Sequence, residues 1–293
     1  MYFNKLTIVI VTFHSEHIIE KCLNNLDENF KKIVVENSSN KDFTENLKNK
    51  YINLDTINIG YDSGFAYAAN RGMEKCSTEY ILLINPDSFP DKDCIKKIIN
   101  TAESDNEIAV VAPITLRKNR TQEFRDYGYF DNKKIFKKNA NNLLQVDWVN
   151  GNVFLLRRNI LNLIGMFDEN FFLECDELDL QKRIFNLNKK VIIDFNAKSF
   201  HLEGKSADAK YAIQMKFESV WHNSWSNFYY LKKHYGFPNA ILNRTPKALI
   251  DLLKSLIFFI LRNKIKSKIY MLYFCGFVYS FLGKKPTYRA KIY

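Results

Sequence analysis

The segment Tyr80 to Asp91 (YILLINPDSFPD) places a carboxylate directly after a short apolar run. Pro86 cannot donate a hydrogen bond to a neighbouring strand, so the strand is expected to end at Asn85. Asp87 then lies in a turn whose backbone is restricted by the proline. In open α/β sheets, ligands bind at the carboxyl ends of the strands, where such an acid faces a ligand. The alternative is a turn that caps the next helix, since Asp, Pro and Ser are common turn residues.

A second group of chemically capable residues lies in FDENFFLECDELDLQKR, residues 167–183. Aromatic side chains flank its acids, and partial desolvation raises the pKa of a carboxylate and makes it a better proton acceptor. One of these acids is therefore a candidate catalytic base. The alternative is an acidic first helical turn that the helix dipole favours, capped by Asp176. The six acids are Asp168, Glu169, Glu174, Asp176, Glu177 and Asp179.

Small residues and two asparagines mark NIGYDSGFAYAANRG, residues 58–72, where a strand gives way to a helix. Glycine permits a tight turn there, and free N–H groups at a helix N-terminus suit a phosphate. The segment is neither a GxGxxG fingerprint nor a Walker A loop, so the signature of a dinucleotide or ATP site is missing. His201 follows a later apolar-rich strand, although a lone histidine is more often structural than catalytic.

Alternating strand and helix patterns must position these residues. The alternation predicts right-handed crossovers and a parallel sheet, hence an α/β fold. The polar, basic stretch 117–142 is predicted to be a flexible loop over the site. Strands are predicted at 6–12, 32–36, around Ile57, 79–84, 108–113 and 144–148, and helices at 15–26, 42–50, 63–75, 91–102, 176–188 and 213–235.

Length and cysteine usage limit the class of protein. A chain of 293 residues can hold one large α/β domain, or a domain with an appendage. The five cysteines are scattered without CxxC spacing, which indicates a reducing cytoplasm and neither a disulfide framework nor a zinc site. The apolar run Leu6–Phe13 lacks a basic leader and a cleavage site, so we expect a first strand and no signal peptide.

The net charge of +11 is concentrated at one end of the chain. Residues 232–293 carry 13 Lys and Arg and one acid, Asp251. Two apolar stretches, Ala248–Leu261 and Ile269–Leu282, are each too short to cross a bilayer. Basic residues around apolar faces favour helices that lie in the membrane interface. A buried helical hairpin on the main domain is one alternative, and a hairpin that spans the membrane as a pair is another.

The order of these segments resembles the inverting family-2 glycosyltransferases of the GT-A fold, and most closely their bacterial rhamnosyltransferase-like branch. The resemblance runs from Leu6 to about Gly236. It implies a Rossmann-like, mostly parallel central sheet with flanking helices. The motifs that carry it are Val11-Thr12-Phe13, VVENSS, residues 58–72, Asn85-Pro86-Asp87, Trp148-Val149-Asn150-Gly151, the FDENFF and DELDLQKR runs, and HLEGKS.

The resemblance implies a nucleotide site at the ends of the first strands. Thr12 and Glu36 would line the nucleotide base, with the Glu36 carboxylate accepting from the imide N–H of the base. The family usually has Asp at the position of Glu36. Asn58, Gly60 and Asn70 would also lie near the nucleotide.

The resemblance further implies a metal site and a sugar pocket. Asp87 would hold Mg²⁺ or Mn²⁺ that bridges the two phosphates of the sugar nucleotide. Asn85 stands where the family has the first acid of its DxD motif, and His201 would add a contact to the metal or the diphosphate. Trp148 and Gly151 would shape the sugar and acceptor pocket.

An ungapped match puts Glu177 at the position of the family's catalytic base, and Asp176 is the close alternative because the family's Glu-Asp order is reversed here. The implied mechanism is a single in-line displacement that inverts the anomeric carbon, with the base taking the proton of the acceptor hydroxyl. Asn188 replaces a family glycine, and its tolerance of positive φ lets the turn persist.

The chain is thus predicted to hold a GT-A domain at 1–236, with a nucleotide-binding half 1–115 and an acceptor half 116–236, and a basic amphipathic tail at 237–293. The expected donor is a dTDP- or UDP-linked sugar, with rhamnose a candidate for the sugar. The expected acceptor is a saccharide on polyprenyl diphosphate, met at the inner face of the cytoplasmic membrane during assembly of polysaccharide, O-antigen or capsule.

Other classes of protein were weighed against this expectation. A nucleic-acid-binding protein would explain the basic tail, but no binding module is present and the apolar stretches suit lipid better, so no nucleic-acid partner is expected. A non-catalytic sugar-binding or assembly protein on a transferase-like body would fit the departures at Glu36, Asn85 and Asp176-Glu177. A nucleotidyltransferase is a further enzyme alternative.

Overall fold

A computed structural model gives the fold of residues 2–117, 127–130, 139–202 and 204–289. The chain forms two compact units. The sheet unit is Met1–Phe167 with Glu177–Asp208, and the helical unit is Asp168–Asp176 with Ala209–Tyr293. The predicted domain boundary at residue 236 therefore falls within the helical unit, between two of its helices.

The strands and most of the helices belong to the sheet unit. The strands are β1 (Leu6–Thr12), β2 (Lys31–Glu36), β3 (Leu54–Asn58), β4 (Tyr80–Ile84), β5 (Ser88–Pro90), β6 (Ile108–Leu116), β7 (Tyr127–Gly128), β8 (Leu143–Val146), β9 (Trp148–Val149), β10 (Val153–Arg157) and β11 (Lys190–His201). The helices are α1 (Ile19–Asn25), α2 (Lys41–Lys50), α3 (Phe65–Glu74), α4 (Cys94–Glu103), α5 (Arg158–Ile164) and α6 (Asp176–Asn186).

The main sheet has the strand order β3-β2-β1-β4-β10-β6-β11-β5, and β8 also pairs with β11. The pairs β1–β2, β2–β3, β1–β4 and β6–β11 are parallel, as the alternating pattern predicts. The expectation of a mostly parallel sheet is wrong for the second half, because β10 runs antiparallel to both β4 and β6. The apolar run of β10 is buried throughout, and such a run carries no signal of strand direction.

Two apolar clusters form the core of the sheet unit. Side chains alternate between them along β1, with Val9 in one cluster and Ile8 and Ile10 in the other. Burial on both faces explains why the strands read as continuous apolar runs. On α3, a Cβ added at Gly72 would clash with the side chains of Val9 and Val35, so glycine permits the close approach of helix and sheet.

The helical unit packs α7 (Ala212–Tyr235), α8 (Phe237–Ile260) and α9 (Lys264–Phe281) against one another. The predicted tail therefore folds as a helical hairpin against α7. A Cβ at Gly276 of α9 would clash with the Trp221 carbonyl oxygen of α7, which fixes a close helix crossing. None of the helices in the described ranges has the length and hydropathy needed to cross a bilayer.

The predicted loop at 117–142 lies largely outside the described residues. Within it, β7 pairs antiparallel with β9 as a separate two-stranded sheet. Asn188 has φ 56°, which confirms the predicted left-handed turn after α6.

Candidate active site

Three polar side chains of the predicted nucleotide site lie at the carboxyl ends of adjacent parallel strands. In the register of the sheet, Thr12 pairs with Glu36, and Glu36 pairs with Asn58. Each residue is the last of its strand, so all three share one edge of the sheet. This is the edge at which open α/β sheets bind ligands.

Glu36 is fully buried, and both of its carboxylate oxygens accept hydrogen bonds from the protein. Oε2 accepts from the Thr12 hydroxyl at 2.6 Å, and Oε1 accepts from the Ser38 N–H at 2.9 Å. Burial raises the pKa of Glu36, while the hydrogen bonds from Ser38 and Thr12 oppose that shift. The carboxylate thus stabilises the strand ends, and its contact with a nucleotide base stays a prediction.

The loop after β3 is held by hydrogen bonds to its neighbour. Asn58 Nδ2 donates to the Asn40 carbonyl at 3.1 Å, and the buried Asn58 Oδ1 accepts no hydrogen bond in the described chain. Gly60 has φ +84°, a conformation that favours glycine. Asn37 Oδ1 accepts from the Ser63 N–H at 3.1 Å and joins the loop to β2. Sequence reasoning missed Asn37, although an Asn directly after a strand was a usable signal.

Asn70, on α3, holds the chain that leads into the acidic segment. Its Nδ2 donates to the Phe167 carbonyl at 2.9 Å, and its Oδ1 accepts from the Phe167 N–H at 3.0 Å. Both ends of this buried amide therefore have partners within the sheet unit. Asn70 has a positioning contact in the structure, and its proximity to a nucleotide stays a prediction.

The Asn85-Pro86-Asp87 turn links the central strand β4 to the short strand β5. The Asn85 N–H donates to the Asn152 carbonyl at 2.9 Å, and the Ser88 N–H donates to the Asn85 carbonyl at 3.0 Å. β5 pairs antiparallel with the end of β11, where Ser88 lies opposite His201. Strand pairing therefore brings Asp87 and His201 together, although they are far apart in sequence.

The Asp87 carboxylate is fully buried beside His201, with 3.2 Å between Oδ1 and the His201 Nε2. Its Oδ2 accepts from the Lys205 N–H at 3.1 Å. Burial alone would raise the pKa of Asp87, but hydrogen bonding and the charge of His201, with help from Ser206 and the Lys205 N–H, lower it overall. Asp87 is therefore ionised at neutral pH.

The Asp87–His201 pair fits a divalent cation. Asp87 Oδ1 is buried and faces the His201 Nε2, and the second ring nitrogen, Nδ1, is buried without a hydrogen-bond partner among the described residues. An ionised carboxylate oxygen and an imidazole nitrogen are donors that Mn²⁺ accepts, and the oxygen also suits Mg²⁺. In the described chain no third His, Cys, Asp or Glu completes a metal-binding group, so a cation here would need ligands from substrate or water.

Glu177 lies over Gly151, close to the Asn85 turn. A Cβ at Gly151 would lie 3.5 Å from the Glu177 carboxyl carbon, so glycine leaves open space beside this acid. The next residue, Asn152, accepts the Asn85 N–H. The predicted base and the predicted metal-binding turn therefore contact two consecutive residues, Gly151 and Asn152, at one edge of the sheet.

Gln181 holds this part of α6 against β9. Its Oε1 accepts from the Val149 N–H at 2.7 Å, and its Nε2 donates to the Val149 carbonyl at 2.8 Å. Nε2 also lies 3.1 Å from the Glu177 carbonyl, one helical turn earlier. Sequence reasoning missed Gln181, and its spacing of four residues from Glu177 on one helix face was the available signal.

Trp148, predicted to shape the sugar pocket, is half-buried on β9. Its indole packs so closely against Gly128 that a Cβ there would clash with the ring. Gly128 is therefore a third residue that the sequence analysis missed, after Asn37 and Gln181, and it lies within the predicted loop.

The residues before the predicted base belong to the helical unit and have unusual backbone angles. Glu174 has φ 68° and Cys175 has φ 64°, a conformation that is costly for residues other than glycine. The Ser219 hydroxyl donates to the Glu174 carboxylate at 3.0 Å. Asp176 is buried, whereas Glu177 is half-buried in the sheet unit. This difference favours Glu177 over Asp176 as the acid within reach of a substrate.

An open α/β sheet that gathers amide and carboxylate side chains at one edge, beside a carboxylate over a glycine, is the architecture of a nucleotide-dependent enzyme. The sequence pattern of "Glycosyl transferase family 2" matches residues 7–164, more than half of the chain, and the chain belongs to this family. The resemblance inferred from the motifs is confirmed, and with it the assignment as a glycosyltransferase.

Two curated relatives and one solved structure are similar to the chain. Rhamnosyltransferase WbbL of Escherichia coli is 24% identical over 60% of this chain and 75% of its own length. Low-salt glycan biosynthesis hexosyltransferase Agl10 of Haloferax volcanii is 23% identical over 64% of this chain and 66% of its own. Mannosyltransferase PcManGT from Pyrobaculum calidifontis, solved with GDP-Man and Mn²⁺, has a TM-score of 0.59 at 12% identity, over 96% of this chain and 88% of its own.

Proposed function

We propose that this protein transfers a hexose, with rhamnose the first candidate, from a dTDP- or UDP-linked donor to a saccharide acceptor, with inversion at the anomeric carbon. The observation that carries the proposal is the position of Glu177 over Gly151, next to the backbone that holds the Asn85-Pro86-Asp87 turn. A base and a diphosphate-binding turn on one sheet edge are what a direct displacement needs.

The nucleotide of the donor would lie across the ends of β1, β2 and β3, near Thr12, Glu36 and Asn58. The strand ends are rigid because Glu36 accepts hydrogen bonds from two sides. The buried Asn58 Oδ1 has no hydrogen-bond partner among the described residues, and Gly60 lets backbone approach the ligand. A neighbour solved with GDP-Man supports a nucleotide-sugar donor in general.

The diphosphate would lie next to Asp87 and His201, and Asn85 at the half-buried start of the turn would contact donor oxygens. These residues would hold Mg²⁺ or Mn²⁺, and a bound cation would offset the negative charge of the departing diphosphate. The neighbour solved with Mn²⁺ supports a divalent cation. Because the described residues supply only two donors, we expect the cation to bind weakly until the sugar nucleotide is present.

Glu177 would act as the general base. Its carboxylate takes the proton of the acceptor hydroxyl as the acceptor oxygen bonds to the anomeric carbon, and the bond from that carbon to the diphosphate breaks. Gln181 and Gly151 keep the carboxylate at its place, and Trp148 offers a ring for the sugar to stack on. Asp176 is the alternative base, but its burial counts against it.

The acceptor is proposed to be a saccharide carried on polyprenyl diphosphate, in assembly of a cell-surface polysaccharide such as O-antigen or capsule. The name of the relative WbbL supports the rhamnosyltransferase part. The protein would be peripheral on the inner face of the cytoplasmic membrane, where it meets such an acceptor in two dimensions.

The direct test is release of nucleoside diphosphate from a panel of dTDP- and UDP-sugars with Mg²⁺ or Mn²⁺. We expect Glu177→Gln to lower kcat about 10³-fold, and Asp176→Asn to lower it less than about tenfold. Glu169→Gln, an exposed acid of the same segment, is the matched control and should keep turnover within about twofold.

Four outcomes would contradict the proposal. Full turnover in Glu177→Gln would exclude it as the base, and the reverse ranking of the two variants would assign the base to Asp176. Pyrophosphate in place of nucleoside diphosphate would favour a nucleotidyltransferase. Binding of a sugar nucleotide without any turnover would favour a non-catalytic sugar-binding protein.

A further inference from the structure

Helix α8 has the reverse of the polarity expected for a helix of a water-soluble bundle. Its buried residues are small or polar, namely Ala240, Ala248, Asp251 and Ser255. Its exposed residues include a continuous set of large aliphatic side chains. A helix surrounded by water normally buries the aliphatic stripe and exposes the polar one.

The exposed aliphatic side chains lie on one face. Leu242, Pro246, Leu249, Leu253, Leu256 and Ile260 recur at spacings of three and four, which places them in one stripe along the helix. At ~1.5 Å per residue the stripe is about 27 Å long. We define the outer face of α8 as the seven aliphatic residues that are 49% to 78% exposed: Leu242, Leu249, Ile250, Leu253, Leu256, Ile257 and Ile260.

The opposite side of α8 is fully used by contacts within the helical unit. The Ser255 hydroxyl donates to the Ser267 carbonyl at 2.9 Å, and the Ser267 hydroxyl donates to the Ser255 carbonyl at 3.0 Å. Asp251 lies beside Lys247, and Lys247 also lies over the Tyr273 ring. These polar contacts fix which side packs inward, so the aliphatic stripe cannot rotate into the bundle.

The charge around the outer face is almost all positive. Residues 209–289 contain fourteen Lys and Arg and two acids, Glu218 and Asp251, and both acids are buried. Four exposed basic residues follow the end of α8, at the turn into α9 and on its first turn: Arg262, Lys264, Lys266 and Lys268. An apolar face bordered by exposed cations is complementary to a surface that is apolar inside and anionic outside.

We propose that the outer face of α8 is a docking surface for an anionic lipid bilayer, with α8 lying parallel to the membrane plane and its aliphatic side chains in the headgroup–acyl boundary. The basic residues from Arg262 to Lys268 then contact the lipid phosphates. This rests on the proposed membrane location and deepens it, because it assigns the contact to α8 rather than α9. On α9, Leu272 and Phe277 are buried. Its exposed apolar residues do not recur at spacings of three or four and form no stripe: Ile265, Met271, Tyr279 and Phe281.

A second copy of the chain is a poorer occupant for the same face. Two outer faces pressed together would bring two strongly basic helical units side by side, without exposed acids on residues 209–289 to pair with the cations. Like charges across an interface oppose association. An anionic bilayer offers acyl chains to the aliphatic stripe and phosphate groups to the cations.

The test is co-sedimentation of the full chain with phosphatidylcholine vesicles, with and without phosphatidylglycerol. We expect binding to the anionic vesicles, and binding weakened at least about tenfold on neutral vesicles or in high salt. Leu249→Glu with Leu256→Glu should weaken binding to anionic vesicles at least about tenfold. The matched control is Ile52→Glu with Leu163→Glu, two aliphatic side chains of the sheet unit that are each 69% exposed, which should bind as the wild type does.

Circular dichroism checks that the variants keep their helix content, and turnover on a soluble saccharide acceptor separates this proposal from the proposed function. Wild-type turnover without vesicle binding would overturn the docking surface alone. Equal loss in both double variants, or equal binding to neutral and anionic vesicles, would also overturn it. So would a dimer in sedimentation velocity that the α8 variant abolishes.

Discussion

Helices α4 and α8 bury opposite kinds of side chain, and the contrast separates the two units of the protein. α4, in the sheet unit, buries Ile95, Ile98 and Ile99 and exposes Lys96 and Glu103. α8, in the helical unit, does the reverse, with small and polar residues inside and aliphatic residues outside. The sheet unit thus has the polarity of a domain that folds in water, with the proposed catalytic site at one edge, whereas the helical unit presents a surface suited to an apolar medium.

The separation of roles predicts that damage to the catalytic edge leaves lipid binding intact. Asp87→Asn removes the ionised partner of His201, so we expect release of nucleoside diphosphate to fall at least about 10³-fold. Binding to anionic vesicles should be unchanged, which co-sedimentation measures on the same preparation.

Asp91→Asn is the control for that variant, since Asp91 is an exposed acid four residues further on. Its turnover should stay within about twofold of the wild type. If Asp87→Asn keeps its turnover, the assignment of a diphosphate and metal site to this turn is wrong. If it also loses vesicle binding, the two units do not have separate roles.

A smaller effect is expected from Gln181, because it acts through Glu177. Gln181→Ala leaves the N–H and carbonyl of Val149 without their partner, so we expect kcat to fall about 10- to 100-fold with little change in KM for the donor. Steady-state kinetics separate the two parameters. Gln145→Ala, an exposed glutamine on β8, is the control and should change neither.

A loss of stability with unchanged kcat would mean that Gln181 is only structural. Equal increases in KM and decreases in kcat would also count against positioning, since the donor site lies on other strands. A fall in kcat with little change in KM is therefore the result that distinguishes a positioning role from a structural one.

The sequence predicted what depends on local pattern and on the rule that ligands bind at strand ends. The strand pattern placed Asp87 at the carboxyl end of its strand, and the family resemblance implied that Thr12, Glu36 and Asn58 lie together at a nucleotide site. The spacing of Gln181 from Glu177 pointed to a shared helix face, but the hydrogen bonds to Val149, 32 residues away, could not be predicted because no local pattern indicates that contact. The strand β10 was not predicted, and its antiparallel direction depends on pairing with β4 and β6, which lie far away in sequence.

The two apolar stretches of the tail show a second limit of prediction from sequence. Composition showed two short apolar stretches with basic residues between them, Ala248–Leu261 and Ile269–Leu282, and predicted the same interfacial role for both. Only the packing distinguishes them, because the polar contacts of Asp251 and Ser255 turn the aliphatic side of α8 outward. No sequence pattern predicts that residues 168–176 belong to the helical unit.

The helical unit should be the acid-sensitive part of the protein. Burial lowers the pKa of His222 to about 3, although its hydrogen bond to the Tyr288 carbonyl opposes the shift. Below about pH 6.5 the unfolded chain binds a proton that folded His222 does not, so the free energy of unfolding falls by about 1.4 kcal/mol per pH unit. The fluorescence of Trp221 and Trp225, both on α7, reports urea unfolding of this unit.

His222→Gln should flatten this dependence on pH between about 6.5 and 5, because no imidazole remains to take up the proton. His17→Gln is the control in the sheet unit, where His17 is exposed. If His222→Gln keeps the wild-type slope, acid sensitivity comes from other groups. If His17→Gln flattens the slope as well, the sensitivity is not confined to the helical unit.

The smallest expected effect compares one strained turn in each unit. Cys175→Gly removes a Cβ at φ 64°, so we expect the free energy of unfolding to rise by about 0.5–1 kcal/mol in urea titrations. Asn188→Gly, at φ 56° after α6, should raise the free energy of unfolding by less, because Asn adopts this conformation at lower cost.

If Cys175→Gly also turns over more slowly, the strain before Asp176 helps to fix the base, and the variant is more stable but less active. An equal gain in both variants, or a loss in Cys175→Gly, would mean that the turn at Glu174-Cys175 stores no more strain than an ordinary helix end.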